Sequence, residues 1–191
     1  MTDGSQARVA LIMTTLAFGV CFSAWMLYGV LLTFVVSEQL FVFTRSELGW
    51  LLGIPVLTGS LFRLPVGVLA DRFGGRIVLA SLMLLAAVPM YCVSMVDSFW
   101  GFVVAGLGFG MAGASFAAGV AYISTWYPPS RIGTALGIFG TGNVGAAATG
   151  SLGPLLLKWL TENGSQPEGW RTLPKLYSAL LVVMAIVFAL T

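Results

Sequence analysis

The sequence predicts an all-α membrane protein, a bundle of six transmembrane helices. Hydrophobic residues occupy 58% of the 191 positions and charged residues only 8%, whereas a soluble domain carries about a quarter charged side chains. Apolar runs of roughly twenty residues, long enough to cross a bilayer, recur along the chain. Brief polar joins separate these runs, and short connections favour antiparallel neighbours in one bundle. The composition therefore excludes a water-soluble globular domain.

Charge, proline and glycine set the ends of the six predicted spans. In a single bundle formed by residues 1–191, the spans cover residues 9–36, 46–70, 77–96, 99–124, 133–159 and 174–191. The first run is far longer than the apolar core of a signal peptide, so we expect it to remain as a helix. Tryptophans anchor in the headgroup layer and support these boundaries. Those at or near predicted ends are Trp50, Trp100, Trp126, Trp159 and Trp170. Trp25 lies mid-span instead, where it either packs between helices or lines a substrate path.

Charge and cysteine content exclude several functions. Nine Lys/Arg and seven Asp/Glu are spread thinly along the chain, so no basic tract indicates a nucleic-acid partner. Cys21 and Cys92 lie in apolar runs without a CxxC pattern, and His is absent. We therefore predict packed thiols, no metal site and no cofactor. No nucleophile and base pair can be assembled from these residues, which argues against an enzyme.

Arg63 is the most informative residue because it lies deep in the second predicted span. A charge at membrane depth costs at least a few kcal/mol and normally faces water or a partner. No Asp, Glu, His or Lys lies deep in any predicted span. The planar guanidinium fork suits a small planar oxyanion. We predict an anion site at Arg63; the alternative is a structural arginine bonded to carbonyl groups and water.

Glycines are densest in the fourth and fifth predicted spans. Most have a packing explanation, because small residues let helix backbones approach closely in lipid. Packing does not require Asn143, which lies near the midplane in the run from Gly140 to Gly145. An amide at that depth either binds a small polar solute or bonds to a neighbouring helix. Asn143 is therefore a second candidate site residue.

The segment Gly67–Arg76 resembles the signature loop between the second and third helices of the major facilitator superfamily. The resemblance implies that this loop is cytoplasmic, that the N-terminus is cytoplasmic, and that the protein is a multi-pass protein of the plasma (inner) membrane. It also implies that the loop helps to latch two halves of a transporter together. The implied latch residues are Gly67, Asp71, Arg72, Gly75 and Arg76.

A more specific resemblance lies in the fifth span. The segment Gly133–Gly145 is similar to the nitrate signature of the nitrate/nitrite porter family, and Ala112–Phe116 resembles the fourth helix of that family. Phe139 departs from the polar residue or glycine of some relatives. The resemblance implies the substrate-binding residues Arg63, Asn143, Phe116, Gly140 and Gly142. Arg63 would clamp the anion, Phe116 would stack on it, and the two glycines would bring backbone close.

These resemblances imply the amino-terminal six-helix half of a major facilitator fold. The expected function is secondary nitrate or nitrite transport by alternating access within a lipid bilayer, with the carboxy-terminal half as a missing or separate partner. Proton symport and anion exchange both remain open, as does the preference for nitrate or nitrite. The alternatives are a facilitator for another small anion and a non-transporting membrane assembly protein.

Overall fold

The computed structural model describes residues 4–162 and 168–191, and this part of the chain is helical with no strand. The helices are α1 (Gly4–Ser37), α2 (Arg45–Phe73), α3 (Gly75–Val93), α4 (Phe99–Phe109), α5 (Ser115–Ser124), α6 (Pro129–Gly140), α7 (Val144–Glu162) and α8 (Thr172–Leu190). Short 3₁₀ segments are Gly110–Ala114, Thr141–Asn143 and Gly169–Arg171. The connection between the fifth and sixth predicted spans includes residues 163–167, which lie outside the described residues.

Five helical segments of the described chain are long and apolar enough to cross a membrane. They are Gly4–Ser37, Arg45–Phe73, Gly75–Val93, Phe99–Ser124 and Gly169–Leu190. The fourth contains α4, a 3₁₀ segment and α5, and the last contains a 3₁₀ turn and α8. The predicted all-α membrane bundle is confirmed.

The fifth predicted span runs parallel to α1. The Tyr127 hydroxyl donates to the Ala7 carbonyl at 3.1 Å near the start of both segments. Near the other end, a Cβ atom built on Gly153 would lie 3.1 Å from the Val30 side chain. From residue 7 to residue 30 the α1 axis covers roughly 35 Å, about the thickness of a bilayer core. The segment formed by α6, a 3₁₀ turn and α7 therefore crosses the same depth as α1.

A capping box formed by Thr44 and Glu47 begins α2, and Gly74 ends it. The Thr44 hydroxyl accepts from the Glu47 backbone N–H at 3.2 Å, and the Glu47 carboxylate accepts from the Thr44 N–H at 2.8 Å. This reciprocal pair satisfies donors that a helix start leaves free. At the other end, Gly74 has a φ of +88°, a conformation that side chains with a Cβ rarely adopt. The helix therefore ends at the predicted turn, with Arg63 in its second half.

The third and sixth spans, α3 and α8, pack antiparallel. The Ser178 hydroxyl donates to the Ala87 carbonyl at 2.8 Å in mid-helix. At one end the Arg76 guanidinium donates to the Ala189 carbonyl at 2.6 Å. At the other end Arg171 donates to the carbonyls of Ser94 and Val96 at 3.0 and 3.1 Å. Arginine contacts thus join this helix pair at both ends.

The interior holds aromatic and aliphatic side chains around α1 and α4. Phe102, Phe109 and Trp170 are almost fully buried, and the Tyr28 hydroxyl donates to the Phe102 carbonyl at 2.7 Å. Cys21 is buried as predicted, whereas Cys92 is exposed on the outer side of α3. The packed position predicted for Cys92 is wrong, because an apolar run in a membrane helix covers lipid-facing as well as interior sides.

Candidate anion-binding site

Arg63 lies in α2 one helical turn beyond Gly59. A Cβ atom on Gly59 would be 2.9 Å from the Gly110 carbonyl oxygen and 3.4 Å from the Gly113 Cα, so α2 crosses the fourth span closely there. Arg63 itself is exposed. Among the described residues it has no hydrogen-bond or ion-pair partner. The structure therefore leaves its guanidinium available to an external anion.

Phe116 lies at the level of Arg63. Pro55 contacts Gly110 and Gly59 contacts Gly113, so α2 and the fourth span run parallel. Arg63 is four residues beyond the Gly59 contact and Phe116 is three residues beyond Gly113. Each is about one turn further along its own helix. The two predicted site residues therefore reach a similar depth on neighbouring helices.

The ring of Phe116 is packed on one side and open on the other. Its centroid lies 5.6 Å from that of Phe18 and 5.5 Å from that of Phe139, while 41% of the residue is exposed. Phe18 also contacts Phe22, whose ring lies 5.8 Å from that of Trp25. We call these five residues the aromatic cluster. The cluster supports Phe116 from behind and leaves ring surface free.

Asn143 reaches the same level from the fifth span. It ends the 3₁₀ turn Thr141–Asn143 and is exposed. Its neighbour Gly142 packs on α1, where a Cβ atom would lie 2.5 Å from Phe18 Cδ1. Because Phe18 also touches Phe116, the amide and the aromatic ring lie at one depth of the bundle. The fold thus brings Arg63, Phe116 and Asn143 to a common layer.

The two glycines of the predicted site have different surroundings. A Cβ atom on Gly140 would meet nothing within 4 Å, so this glycine borders open space. Gly142 is buried, and a Cβ atom there would also lie 2.8 Å from the Thr15 carbonyl oxygen. Gly142 therefore lies in the helix contact with α1 and not at the open surface. Only Gly140 has the backbone exposure that was predicted for both.

Phe139 points into the bundle and does not line the open layer. It is fully buried, and a Cβ atom on Gly119 would lie 2.4 Å from its Cζ. Trp25 also packs between helices, with its indole N–H directed at the Pro55 carbonyl at 3.5 Å. Of the two alternatives open for Trp25, the structure therefore favours packing. Sequence reasoning missed the supporting role of Phe18 and Phe22, and only the mid-span Trp25 gave a signal.

Breaks in two spans lie at this layer. The 3₁₀ segment Gly110–Ala114 ends two residues before Phe116, and the 3₁₀ turn Thr141–Asn143 contains Asn143. A short 3₁₀ stretch inside a longer helix is common at functional hinges. Interrupted helices also expose backbone groups at the midplane sites of transporters. The layer therefore combines a free cation, an aromatic face, an amide and irregular backbone.

The turn between α2 and α3 is tight. A Cβ atom on Gly75 would lie 2.4 Å from the Tyr122 Cβ, so only glycine fits against α5 there. Arg76 bonds a helix end through the Ala189 carbonyl. Asp71 and Arg72 are exposed, and neither forms a salt bridge within the described ranges. A Cβ atom on Gly67 would face open space. Of the three charged latch residues, only Arg76 bonds a helix end within the described part of the chain.

These features define a multi-pass α-helical membrane protein in which Arg63, within a membrane-spanning helix, has no partner among the described residues. A profile of the Major Facilitator Superfamily matches residues 13–191. The chain belongs to the major facilitator superfamily, a family of transporters. The predicted superfamily is thereby confirmed.

Several relatives carry names of nitrate and nitrite transporters. The chain is 41% identical over 179 residues to the probable nitrate/nitrite antiporter NarK1 of Thermus thermophilus, covering 92% of this chain and 40% of the relative. It is 29% identical over 186 residues to the nitrite extrusion protein of Bacillus subtilis strain 168, covering 97% and 45%. The predicted resemblance to the nitrate/nitrite porters is confirmed. The chain spans less than half the length of these curated relatives.

Proposed function

We propose that this chain is the amino-terminal six-helix part of a nitrate/nitrite transporter that works by alternating access. The observation that carries the proposal is the common layer of Arg63, Phe116 and Asn143, in which the arginine has no partner among the described residues. The names of the relatives support nitrate and nitrite as the anions. The proposed location is the plasma (inner) membrane, with a cytoplasmic N-terminus.

Each residue of the layer has a distinct role in binding. Arg63 supplies the fixed positive charge and a planar set of donors that matches a planar oxyanion. Phe116 offers the open face of a ring that the aromatic cluster holds in place. Asn143 supplies an amide that donates to one oxygen and fixes its orientation. A Cβ atom on Gly140 would meet nothing within 4 Å, so its backbone is proposed to border the path of the anion.

A second six-helix half is the proposed partner. Arg63 of α2 is exposed, and Cβ atoms on Gly67 of α2 and on Gly133 and Gly137 of α6 would meet nothing within 4 Å. The anion would then lie between the two halves, whose rocking would open the layer to either side of the membrane. Protons are proposed as a co-substrate only for the symport form of this mechanism.

The test is nitrite uptake by liposomes that contain the chain completed with a carboxy-terminal half. Arg63→Lys should reduce uptake to background, because a point charge cannot replace the two-pronged guanidinium contact. Arg131→Lys, an exposed arginine at the start of α6, is the matched control and should keep uptake. Uptake by Arg63→Lys equal to that of wild type would remove the basis of the proposal. If formate or other carboxylates inhibit nitrite uptake at the concentration at which nitrate does, the protein is a facilitator for other small anions.

A further inference from the structure

An apolar groove separates α2 and α3 near the signature turn. It has a volume of about 330 Å³. Its α2 wall is formed by Phe62, Val66, Leu69 and Phe73, which recur at three- and four-residue spacing on one helix face. This wall extends roughly 16 Å along the helix axis. The groove is therefore long and narrow, the shape of an extended hydrocarbon chain.

The α3 wall is equally apolar. Ile77 and Leu85 lie along it and are more than half exposed, and Ser81 is the one polar residue among the described lining residues. The floor is closed by Met111 of the fourth span. No acidic or basic side chain of the described residues lines the groove. Its chemistry thus matches an acyl chain and does not match the nitrate or nitrite of the proposed central site.

The groove lies on a different face of α2 from the candidate anion site. Successive helical residues are rotated by about 100°, which places Arg63 and Gly67 roughly a quarter turn or more away from the line through Phe62, Val66 and Leu69. A partner half that covers the Arg63 face would leave the groove at the flank of the bundle. The groove is thus open to the bilayer in the arrangement proposed above.

A basic residue adjoins the groove without lining it, about a quarter turn from the groove line on the side of α2 opposite to Arg63. Arg72 directly precedes the groove residue Phe73 and is one turn beyond Leu69; it is exposed and has no ion-pair partner among the described residues. Long arginine side chains extend from an apolar surface toward the headgroup layer. A guanidinium there attracts the phosphate of an anionic lipid. Asp71, also exposed, lies on the Arg63 side of the helix, about 100° away from Arg72.

We propose that this groove binds one anionic phospholipid of the surrounding bilayer, with an acyl chain between α2 and α3 and the headgroup phosphate at Arg72. The occupant is a lipid because the lining is apolar over its length and faces the bilayer. It is an anionic lipid because the exposed Arg72, which has no ion-pair partner among the described residues, adjoins the last turn of the α2 wall. The site is independent of nitrate or nitrite binding.

Native mass spectrometry tests the proposal. The 191-residue chain in detergent is mixed with equal amounts of phosphatidylglycerol and phosphatidylcholine that carry the same acyl chains. Wild type should retain about five times as much phosphatidylglycerol as phosphatidylcholine, because one basic residue near a membrane surface changes the affinity for an anionic lipid by about this factor. Arg72→Gln should bring the ratio close to one, while Arg131→Gln should not change it. Equal retention of the two lipids by wild type, or equal effects of both variants, would overturn the charge assignment.

A second pair of variants tests the groove itself. Ser81→Trp fills the groove and should abolish retention of both lipids, whereas Leu84→Trp, on the exposed side of α3 outside the groove, should leave retention unchanged. A photoreactive phosphatidylglycerol with a diazirine in its acyl chain should cross-link to residues 62–85. Cross-links elsewhere, full retention by Ser81→Trp, or a groove covered by a second copy of the chain would overturn the proposal.

Discussion

An arginine on an exposed helical face within the membrane needs water or an anion beside it, because its charge costs several kcal/mol in hydrocarbon. Arg63 meets that condition only if its layer is solvated, and the neighbouring residues agree with this requirement. Phe116 keeps an open ring face and Asn143 keeps an exposed amide, although both lie in the middle of their spans. At the residue scale, the candidate site is a small group of exposed polar and aromatic side chains held by packed neighbours.

The open ring of Phe116 should contribute to substrate affinity. Phe116→Leu removes the flat face and should raise the KM for nitrite uptake roughly three- to tenfold, in line with the energy of aromatic stacking. Phe62→Leu is a matched control because Phe62 is also 41% exposed but lies in the apolar groove. Uptake kinetics of the completed protein measure both effects. Equal KM values for Phe116→Leu and wild type would exclude a stacking role.

The residue types of this layer could be predicted from the sequence, but their surroundings could not. Arg63 and Asn143 stand out because polar groups are rare at membrane depth. Gly140 and Gly142 are two positions apart in the sequence, yet Gly140 borders open space and Gly142 packs on Phe18. In a membrane helix both interior and lipid-facing sides are apolar, so hydrophobic periodicity does not distinguish them. The aromatic cluster was missed for the same reason.

At the scale of elements, close helix crossings determine where the layer forms. Gly142 and Gly145 bring the fifth span onto α1, and Gly59 and Gly113 bring α2 onto the fourth span. Long apolar runs predicted the spans, but the 3₁₀ breaks at Gly110–Ala114 and Thr141–Asn143 were not predicted. They depend on contacts between spans that a single sequence does not display. The crossings and the breaks together fix the depth of Phe116 and Asn143.

Gly142 should be far less tolerant of substitution than Gly140. An alanine at 142 would place its Cβ 2.8 Å from the Thr15 carbonyl oxygen and 2.5 Å from Phe18, and such overpacking costs about 1–3 kcal/mol. Gly140→Ala meets open space and should be nearly neutral. Thermal unfolding in detergent should show a lower Tm for Gly142→Ala only. Equal Tm values for the two variants would contradict the packing described here.

Arg171 should stabilise the contact between α3 and α8. Its side chain is only 15% exposed, pairs with Asp97, donates to two carbonyls at the end of α3 and lies 4.5 Å from the centre of the Trp170 ring. Arg171→Gln should therefore cost roughly 2 kcal/mol of unfolding free energy. Asp97→Asn should cost much less, because Asp97 is largely exposed. Denaturation in detergent measures both, and a larger loss for Asp97→Asn would contradict this order.

At the scale of the whole molecule, two of the exposed faces of the described bundle suit the packing of a second half. One lies on α2 around Arg63 and Gly67, and the other lies on α6 around Gly133 and Gly137. The relatives are more than twice as long as the matched region. A second half on these faces would enclose the Arg63 layer and exclude bilayer lipid from it. The flank between α2 and α3 would remain in contact with the membrane.

Equilibrium binding of nitrate to the completed protein tests the central claim most directly. Isothermal titration should show saturable binding by wild type and by Arg131→Gln. Arg63→Gln should weaken binding at least about tenfold, since it removes the charge that compensates the anion. Nitrate affinity that stays unchanged in Arg63→Gln would contradict the assignment of this residue as the anion-binding group.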